Sequence, residues 1–88
     1  GAMLVPPVLV GSRVKIGERA VVGPYAVIGD DCVIGRGARV THSILWDRCV
    51  AAEAAQLNRC IVGSGLKIDP RHLLHEAVVS VIPEAETI

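Results

Sequence analysis

Three histidines and three cysteines carry the readiest chemistry in this 88-residue chain: His42, His72 and His75, and Cys32, Cys49 and Cys60. A histidine can act as a general base or a zinc ligand, and a cysteine as a nucleophile or a ligand. His72 and His75 stand at a His-x-x-His spacing, but no third ligand lies nearby in the sequence to complete a metal set. The cysteines are odd in number and lack Cys-x-x-Cys spacing, so they signal neither a disulfide framework nor a zinc site, and reduced thiols are expected. Gly35-Arg36-Gly37 and Gly63-Ser64-Gly65 are the short glycine-flanked segments that could cradle a phosphate, and neither matches a Walker or dinucleotide pattern. With Asp30, Asp31, Asp47 and Asp69 added, no stretch still assembles a nucleophile, a base and oxyanion donors.

The elements that must position these residues follow from a period of six. In Val22-Gly23-Pro24-Tyr25-Ala26-Val27-Ile28-Gly29-Asp30-Asp31-Cys32-Val33-Ile34-Gly35, an aliphatic residue followed by glycine recurs at Val22, Ile28 and Ile34. This is neither the 3.6-residue period of a helix nor the alternation of a flat strand. The series runs through Val10, Ile16, Val22, Ile28, Ile34 and Val40, with a second inward residue two positions earlier that becomes small: Ala20, Ala26, Cys32, Ala38. Dropping one residue after Val40 restores the step at Leu45, Ala51 and Leu57, and a second deletion places Val62 and Ile68. Segments around Ile44, Ile61 and Val78 then repeat 17 residues apart.

Three short strands thus close one coil of 18 or 17 residues, and the sequence predicts an all-β, three-sided parallel β-helix of about four coils. Face one stacks Val10, Ile28, Leu45, Val62 and Val79; face two stacks Ile16, Ile34, Ala51 and Ile68; face three stacks Val22, Val40, Leu57 and Leu74. Glycines after the inward positions are expected to give the corners backbone freedom. Residues 1–4 read as tag remnant and lead-in, 5–80 as the β-helix and 81–88 as a C-terminal cap or tail. Beyond Ile68 the pattern loosens, with Asp69-Pro70-Arg71-His72 in place of a regular corner.

Composition fits a narrow core. The chain is 51% hydrophobic, yet it has no Phe, one Tyr and one Trp, so Val, Ile, Leu and Ala must fill the interior. Nine basic and nine acidic residues cancel without runs, which argues against nucleic acid or an anionic membrane as partner. No apolar run reaches the roughly 18 residues of a membrane span, and a cytoplasmic location is the expectation.

On this frame the cysteines occupy small inward slots as inert thiols, His42 is a solvent-facing corner residue, His72 and His75 are surface or capping residues, and the aspartates are mostly solvated corners. The outward residues differ by face. Face two shows Lys15, Val33, Val50 and Lys67, and face three shows Val21, Arg39 and Gln56. Face one carries Leu9, Val27, Ile44, Ile61 and Val78, a ladder whose few hundred Å² of apolar surface marks an interface. Trp46 borders it as an anchor. A homo-oligomer joined through face one is expected, with Val33 and Val50 at its edge.

Four segments carry a resemblance: Pro7-Val8-Leu9-Val10-Gly11, Val22-Gly23-Pro24-Tyr25-Ala26-Val27-Ile28-Gly29, Ser43-Ile44-Leu45-Trp46-Asp47 and Cys60-Ile61-Val62-Gly63-Ser64-Gly65. Together they resemble the C-terminal left-handed β-helix of sugar-phosphate nucleotidyltransferases, above all the mannose-1-phosphate guanylyltransferases and their glucose-1-phosphate thymidylyl- and adenylyltransferase relatives. The resemblance implies a left-handed coil, a separate N-terminal α/β catalytic domain that uses Mg²⁺, and a role in oligomerisation or regulation for the residues present. It assigns no catalytic, cofactor-binding or metal-binding residue to this chain. Two further readings stand beside it. One is a hexapeptide acyltransferase using acyl-CoA, which resembles this chain in its coils but needs a catalytic histidine and an extruded loop; the other is a β-helix scaffold without enzymatic partner. Three-sided helices of this kind also resemble γ-class carbonic anhydrases, whose metal is held by histidines of neighbouring coils.

Overall fold

A computed structural model describes residues 1–80 of the chain; the expected cap over 81–88 lies outside the described residues. Among the described residues, fourteen strands of two or three residues follow one another in chain order. Every third strand shares a sheet, and all pairings are parallel, so the chain coils through three sheets in turn. Face three holds β1 (Met3–Leu4), β4 (Val21–Val22), β7 (Arg39–Thr41), β10 (Gln56–Asn58) and β13 (Leu73–His75). Face one holds β2 (Val8–Val10), β5 (Ala26–Ile28), β8 (Ile44–Leu45), β11 (Ile61–Val62) and β14 (Val78–Val79). Face two holds β3 (Lys15–Ile16), β6 (Val33–Ile34), β9 (Val50–Ala51) and β12 (Lys67–Ile68). The three-sided parallel β-helix expected from the period of six is the fold.

The register follows the expected stacks. On face one Val10 pairs with Ile28, Ile28 with Leu45, Leu45 with Val62, and Val62 with Val79. Face two pairs Ile16, Ile34, Ala51 and Ile68 in succession, and face three pairs Val22, Val40, Leu57 and Leu74. Like side chains therefore stack along the axis at the roughly 4.8 Å spacing of hydrogen-bonded strands. Ile28, Ile34, Val40, Leu45, Leu57 and Val62 are at most 2% exposed, each worth about 1.5–3 kcal/mol of burial. The small slots behind them, Ala20, Ala26, Cys32, Ala38, Ser43, Cys49, Ala55 and Cys60, are equally buried. A narrow triangular interior has room for one long and one small side chain per side of each coil.

Three particulars differ from the sequence reading. Met3–Leu4 is already a strand, paired with Val21–Val22, so face three has five rungs. The segment Asp69–His72 forms a regular corner rather than a break: Leu73–His75 pairs residue for residue with Gln56–Asn58, and Arg71, at φ 57°, falls in the positive-φ range of the other corners. The third is the glycines. The residue three before every inward position from Ile16 to Val79 has φ between 48° and 75°, and all of these except Gly37 and Gly65 are non-glycine. Arg13, Arg19, Tyr25, Asp31, His42 and Arg48 make the corners that glycine was expected to make.

Of the glycines that follow inward positions, Gly11, Gly17, Gly29 and Gly35 serve close approach instead, whereas Gly23 has a φ of 103° and a Cβ on Gly63 would meet nothing nearer than 3.4 Å. A Cβ on Gly29 would lie 2.8 Å from the backbone nitrogen of Asp47, and one on Gly35 2.7 Å from that of Glu53. Real Cβ atoms do not approach backbone that closely, so these positions admit the next coil only because the side chain is missing.

Candidate interaction surface

The outward side chains of face one are set by the same pairings that set its core. Alternation along each strand turns Leu9, Val27, Ile44, Ile61 and Val78 out, and the register places them in one column. They are 69%, 38%, 41%, 42% and 73% exposed, the inner three having a ladder neighbour on each side. This column is apolar along its whole length. Face two mixes Val33 and Val50 with the lysines Lys15 and Lys67, and the outward residues of face three include Arg39, Thr41, Gln56 and Asn58, which with Leu73 and His75 line a polar groove of about 350 Å³.

Both margins of face one carry aromatic rings. On the side where the chain leaves, Trp46 follows Leu45 and is 57% exposed. Its neighbours in the coils before and after are Gly29 and Gly63, so the indole stands alone above the sheet. On the side where the chain enters, the Tyr25 and His42 rings stack across adjacent coils with centroids 5.3 Å apart and planes inclined by 31°. Both backbones have positive φ, 59° and 48°, which throws these side chains outward at the corner. Between this pair and the ladder runs an open groove of about 410 Å³ lined by Pro7, Leu9, Tyr25, Val27, His42 and Ile44. Sequence reasoning missed the Tyr25–His42 pair; its signal was the 17-residue spacing of two corner positions.

The residues with intrinsic chemistry are not brought together. Among the described residues no group of three His, Cys, Asp or Glu side chains could hold a metal ion. His72 is exposed in the last coil, and His75 contacts Glu76 at 3.0 Å with both side chains largely in solvent. The three cysteines are buried and unpaired. Burial pushes the Cys49 thiol up from its ordinary value, and its sulfur lies 3.0 Å from the Gly63 carbonyl oxygen, as Cys32 lies 3.0 Å from that of Trp46. Both sulfurs donate to backbone carbonyls inside the coil.

The corner between faces one and two is more ordered than solvated aspartates would make it. Asp30 Oδ1 accepts the Ser12 N–H at 2.8 Å, and Asp47 Oδ1 accepts the Asp30 N–H at 2.9 Å. Asp31 accepts from both Arg13 Nε (2.6 Å) and Nη2 (3.1 Å), and these hydrogen bonds hold its carboxyl below the usual range. The strand connections are short throughout, the longest, such as 11–14 and 46–49, having four residues, so no loop is extruded from a coil within the described residues.

A solved structure shares the architecture. A serine acetyltransferase isoform 3 from Entamoeba histolytica, solved with cysteine, is 18% identical over 92% of this chain and 35% of its own, with a TM-score of 0.56. A perosamine N-acetyltransferase from Caulobacter crescentus, solved with CoA and GDP-perosamine, is 15% identical over 88% of this chain and 49% of its own, with a TM-score of 0.36. This chain spans about a third of the first protein's length, and at such identity the likeness is one of fold. No curated protein matches the chain. The GMPPB C-terminal domain family, by contrast, matches residues 4–86. Its span takes in every strand described above except for Met3, and the chain belongs to the GMPPB C-terminal domain family.

Proposed function

We propose that this chain is the C-terminal β-helix of a sugar-1-phosphate nucleotidyltransferase, an enzyme of nucleotide-sugar synthesis, and that it serves the parent enzyme as an oligomerisation or regulatory module in the cytoplasm. The observation that carries this reading is the family membership over residues 4–86. Catalysis belongs to an N-terminal α/β domain that is not in this chain. Mg²⁺ is expected there too, as the family resemblance implies. The surface for assembly is face one, with Leu9, Val27, Ile44, Ile61 and Val78 as its ladder and Trp46 as its anchor.

Two experiments test it. The first is the gene itself: a glycine-rich α/β nucleotidyltransferase domain encoded directly upstream is expected, and its absence removes the enzymatic reading. The second is assembly. Replacing Ile44 and Ile61 together by Asp sets two charges in the middle of the ladder, where burial against a partner is prohibitive, so light scattering should report a folded monomer. A double variant that still assembles places the interface elsewhere.

A further inference from the structure

We propose that Cys32 and Cys49 form a redox couple: a disulfide between them, made by exchange with an oxidised low-molecular-weight thiol such as oxidised glutathione, fastens two successive coils through the interior of face two.

The register brings the two together. Val33 and Ile34 pair with Val50 and Ala51, and the Val33 N–H donates to the Cys49 carbonyl at 2.9 Å, so Cys32 and Cys49 hold the same small inward slot one coil apart. Hydrogen-bonded rungs lie roughly 4.8 Å apart, inside the range of roughly 4.4–6.8 Å between the Cα atoms of bridged cysteines. Both residues are fully buried, and Val14 and Leu66 take the same slot in the coils before and after, so each thiol has one sulfur-bearing neighbour in its column. Cys60 has none: its column, on face one, runs Ser43, Cys60, Ala77.

The sulfurs are also placed for closure. Cys32 Sγ reaches across to the coil of Cys49, where it lies 3.0 Å from the Trp46 carbonyl oxygen, and Cys49 Sγ lies 3.9 Å from the next carbonyl oxygen along, that of Asp47. Cys49 donates to the Gly63 carbonyl at 3.0 Å, toward the coil beyond. Closure therefore asks the Cys49 side chain to turn from Gly63 toward Cys32, a rotation of one side chain rather than a movement of coils. The carbonyls of Trp46 and Gly63 lose only weak S–H donors.

The exchange balances. One thiolate attacks the oxidant's disulfide, expels one molecule of free thiol and leaves a mixed disulfide on the protein. The second thiolate attacks that protein sulfur, forms the Cys32–Cys49 bond and expels the second molecule of thiol. Two electrons pass from the cysteine sulfurs to the oxidant, and the two protons the cysteines give up end on the released thiols. Burial disfavours the thiolate at Cys49, so the exchange proceeds when the coil opens, and the bond is sheltered once the coil re-forms. In a reducing compartment the pair rests as thiols, and it closes under oxidative load.

A competing connectivity separates a couple built by the fold from chance pairing. Cys49 and Cys60 are 11 residues apart and Cys32 and Cys49 are 17 apart, so loop closure in the unfolded chain favours Cys49–Cys60. The fold reverses that preference, because it sets Cys60 on another face and Cys32 in the column of Cys49.

The 88-residue chain is brought to equilibrium at graded ratios of reduced to oxidised glutathione, both from reduced material and from material oxidised in urea and refolded. It is then quenched in acid, alkylated and peptide-mapped beside a parallel series held in urea. The expected native product is lighter by two hydrogen atoms, links the peptides of Cys32 and Cys49 and leaves Cys60 alkylated, with an equilibrium constant for the Cys32–Cys49 bond at least tenfold above that in urea. Cys60→Ala behaves as wild type, whereas Cys32→Ser and Cys49→Ser form no intrachain bridge in the native chain. Circular dichroism checks that each form is folded, and the oxidised chain melts above the reduced one because the bond closes a loop in the unfolded ensemble. A native Cys49–Cys60 bridge, a native chain that stops at mixed disulfides with glutathione, or a Cys32–Cys49 equilibrium constant no higher than in urea overturns the couple. The couple lies in the interior of the coil, so these outcomes leave the reading of face one and of the parent enzyme where they stand.

Discussion

Asp47 lies one coil beyond Asp30 and takes its backbone N–H at 2.9 Å, as Asp30 takes that of Ser12 at 2.8 Å. The two carboxylates tie three successive coils at a corner where strand pairing is interrupted. Asp47→Ala leaves the Asp30 N–H without this acceptor and should lower stability to urea by about 1 kcal/mol, the net worth of a partly exposed hydrogen bond. Asp47→Asn keeps an acceptor oxygen and should lose less. Equal losses in the two variants would mean that the carboxylate's charge, rather than the bond, stabilises the corner.

Glycine and alanine substitutions separate close approach from backbone conformation. Gly35→Ala drives a Cβ to 2.7 Å from the Glu53 nitrogen and should cost about 1–3 kcal/mol, the range for overpacking. At Gly63 the nearest atom to an added Cβ is 3.4 Å away, so Gly63→Ala should be nearly neutral. Ala54 holds a φ of 58°, where a Cβ costs about 1–2 kcal/mol, so Ala54→Gly should raise the melting temperature although glycine ordinarily weakens a fold. Unfolding curves of the three variants decide the matter, and a stabilised Gly35→Ala would show that the coils can part.

The inward residues were legible because a β-helix interior has only one way to repeat: a long aliphatic at Ile28, Leu45 or Val62 and a small residue behind it, with the one-residue deletions after Val40 and Leu57 visible as a change from 18 to 17. Corners were less legible. A glycine in a repeat suggests conformational freedom, but Gly29 and Gly35 are held by the approach of Asp47 and Glu53 from the next coil, which no local pattern encodes. Arg13, Tyr25, Ala54 and Arg59 adopt positive φ without the residue type that announces it. Of the candidate surface, the ladder was readable from alternation, whereas the Tyr25–His42 stack depends on two corner side chains turning toward each other.

Arg13 and Asp31 predict a pH dependence with a definite sign. The hydrogen bonds from Arg13 lower the Asp31 pKa in the folded chain, so the unfolded chain binds the proton more tightly. The stabilisation is therefore present above the ordinary carboxylate value of about 4 and is lost as pH falls through the lower, folded value. Both side chains are exposed, so the effect is small. The melting temperatures of wild type and Arg13→Ala should differ at pH 7 and converge below about pH 4; a gap that widens in acid would mean that the pair is not stabilising.

Thiol reactivity tests the interior. Cys32, Cys49 and Cys60 are buried, and burial raises the Cys49 pKa, so thiolate is scarce where a reagent would need it. Ellman's reagent should label the native chain only at the rate at which coils open, and all three thiols should react at once in denaturant. Because burial disfavours the Cys49 thiolate, the fold should lose stability as pH rises from the ordinary thiol value of about 8.5 toward the higher folded one. Fast labelling of the native chain at neutral pH would contradict the packing of these slots.

Ser43 gives the most local prediction. It is the one buried polar residue among those described, and it sits where the step from Val40 to Leu45 is one residue short. Its hydroxyl donates to the Thr41 carbonyl at 2.7 Å and accepts the Cys60 N–H of the next coil at 3.1 Å, bridging the shortened corner to its successor. Ser43→Ala fits the slot, since Ala26 and Ala77 hold equivalent positions, but it leaves a carbonyl and an N–H in the interior without this partner. The expected loss is about 1–3 kcal/mol, the cost of an unsatisfied buried group. Ser43→Thr keeps the hydroxyl and adds a methyl to a column packed between Ala26 and Cys60, so it should lose stability by overpacking. Amide hydrogen exchange distinguishes the two causes: the Cys60 N–H should exchange faster in Ser43→Ala relative to global unfolding and at the wild-type relative rate in Ser43→Thr. Unchanged protection of Cys60 in the alanine variant would mean that the hydroxyl is accommodated in this column without supporting it.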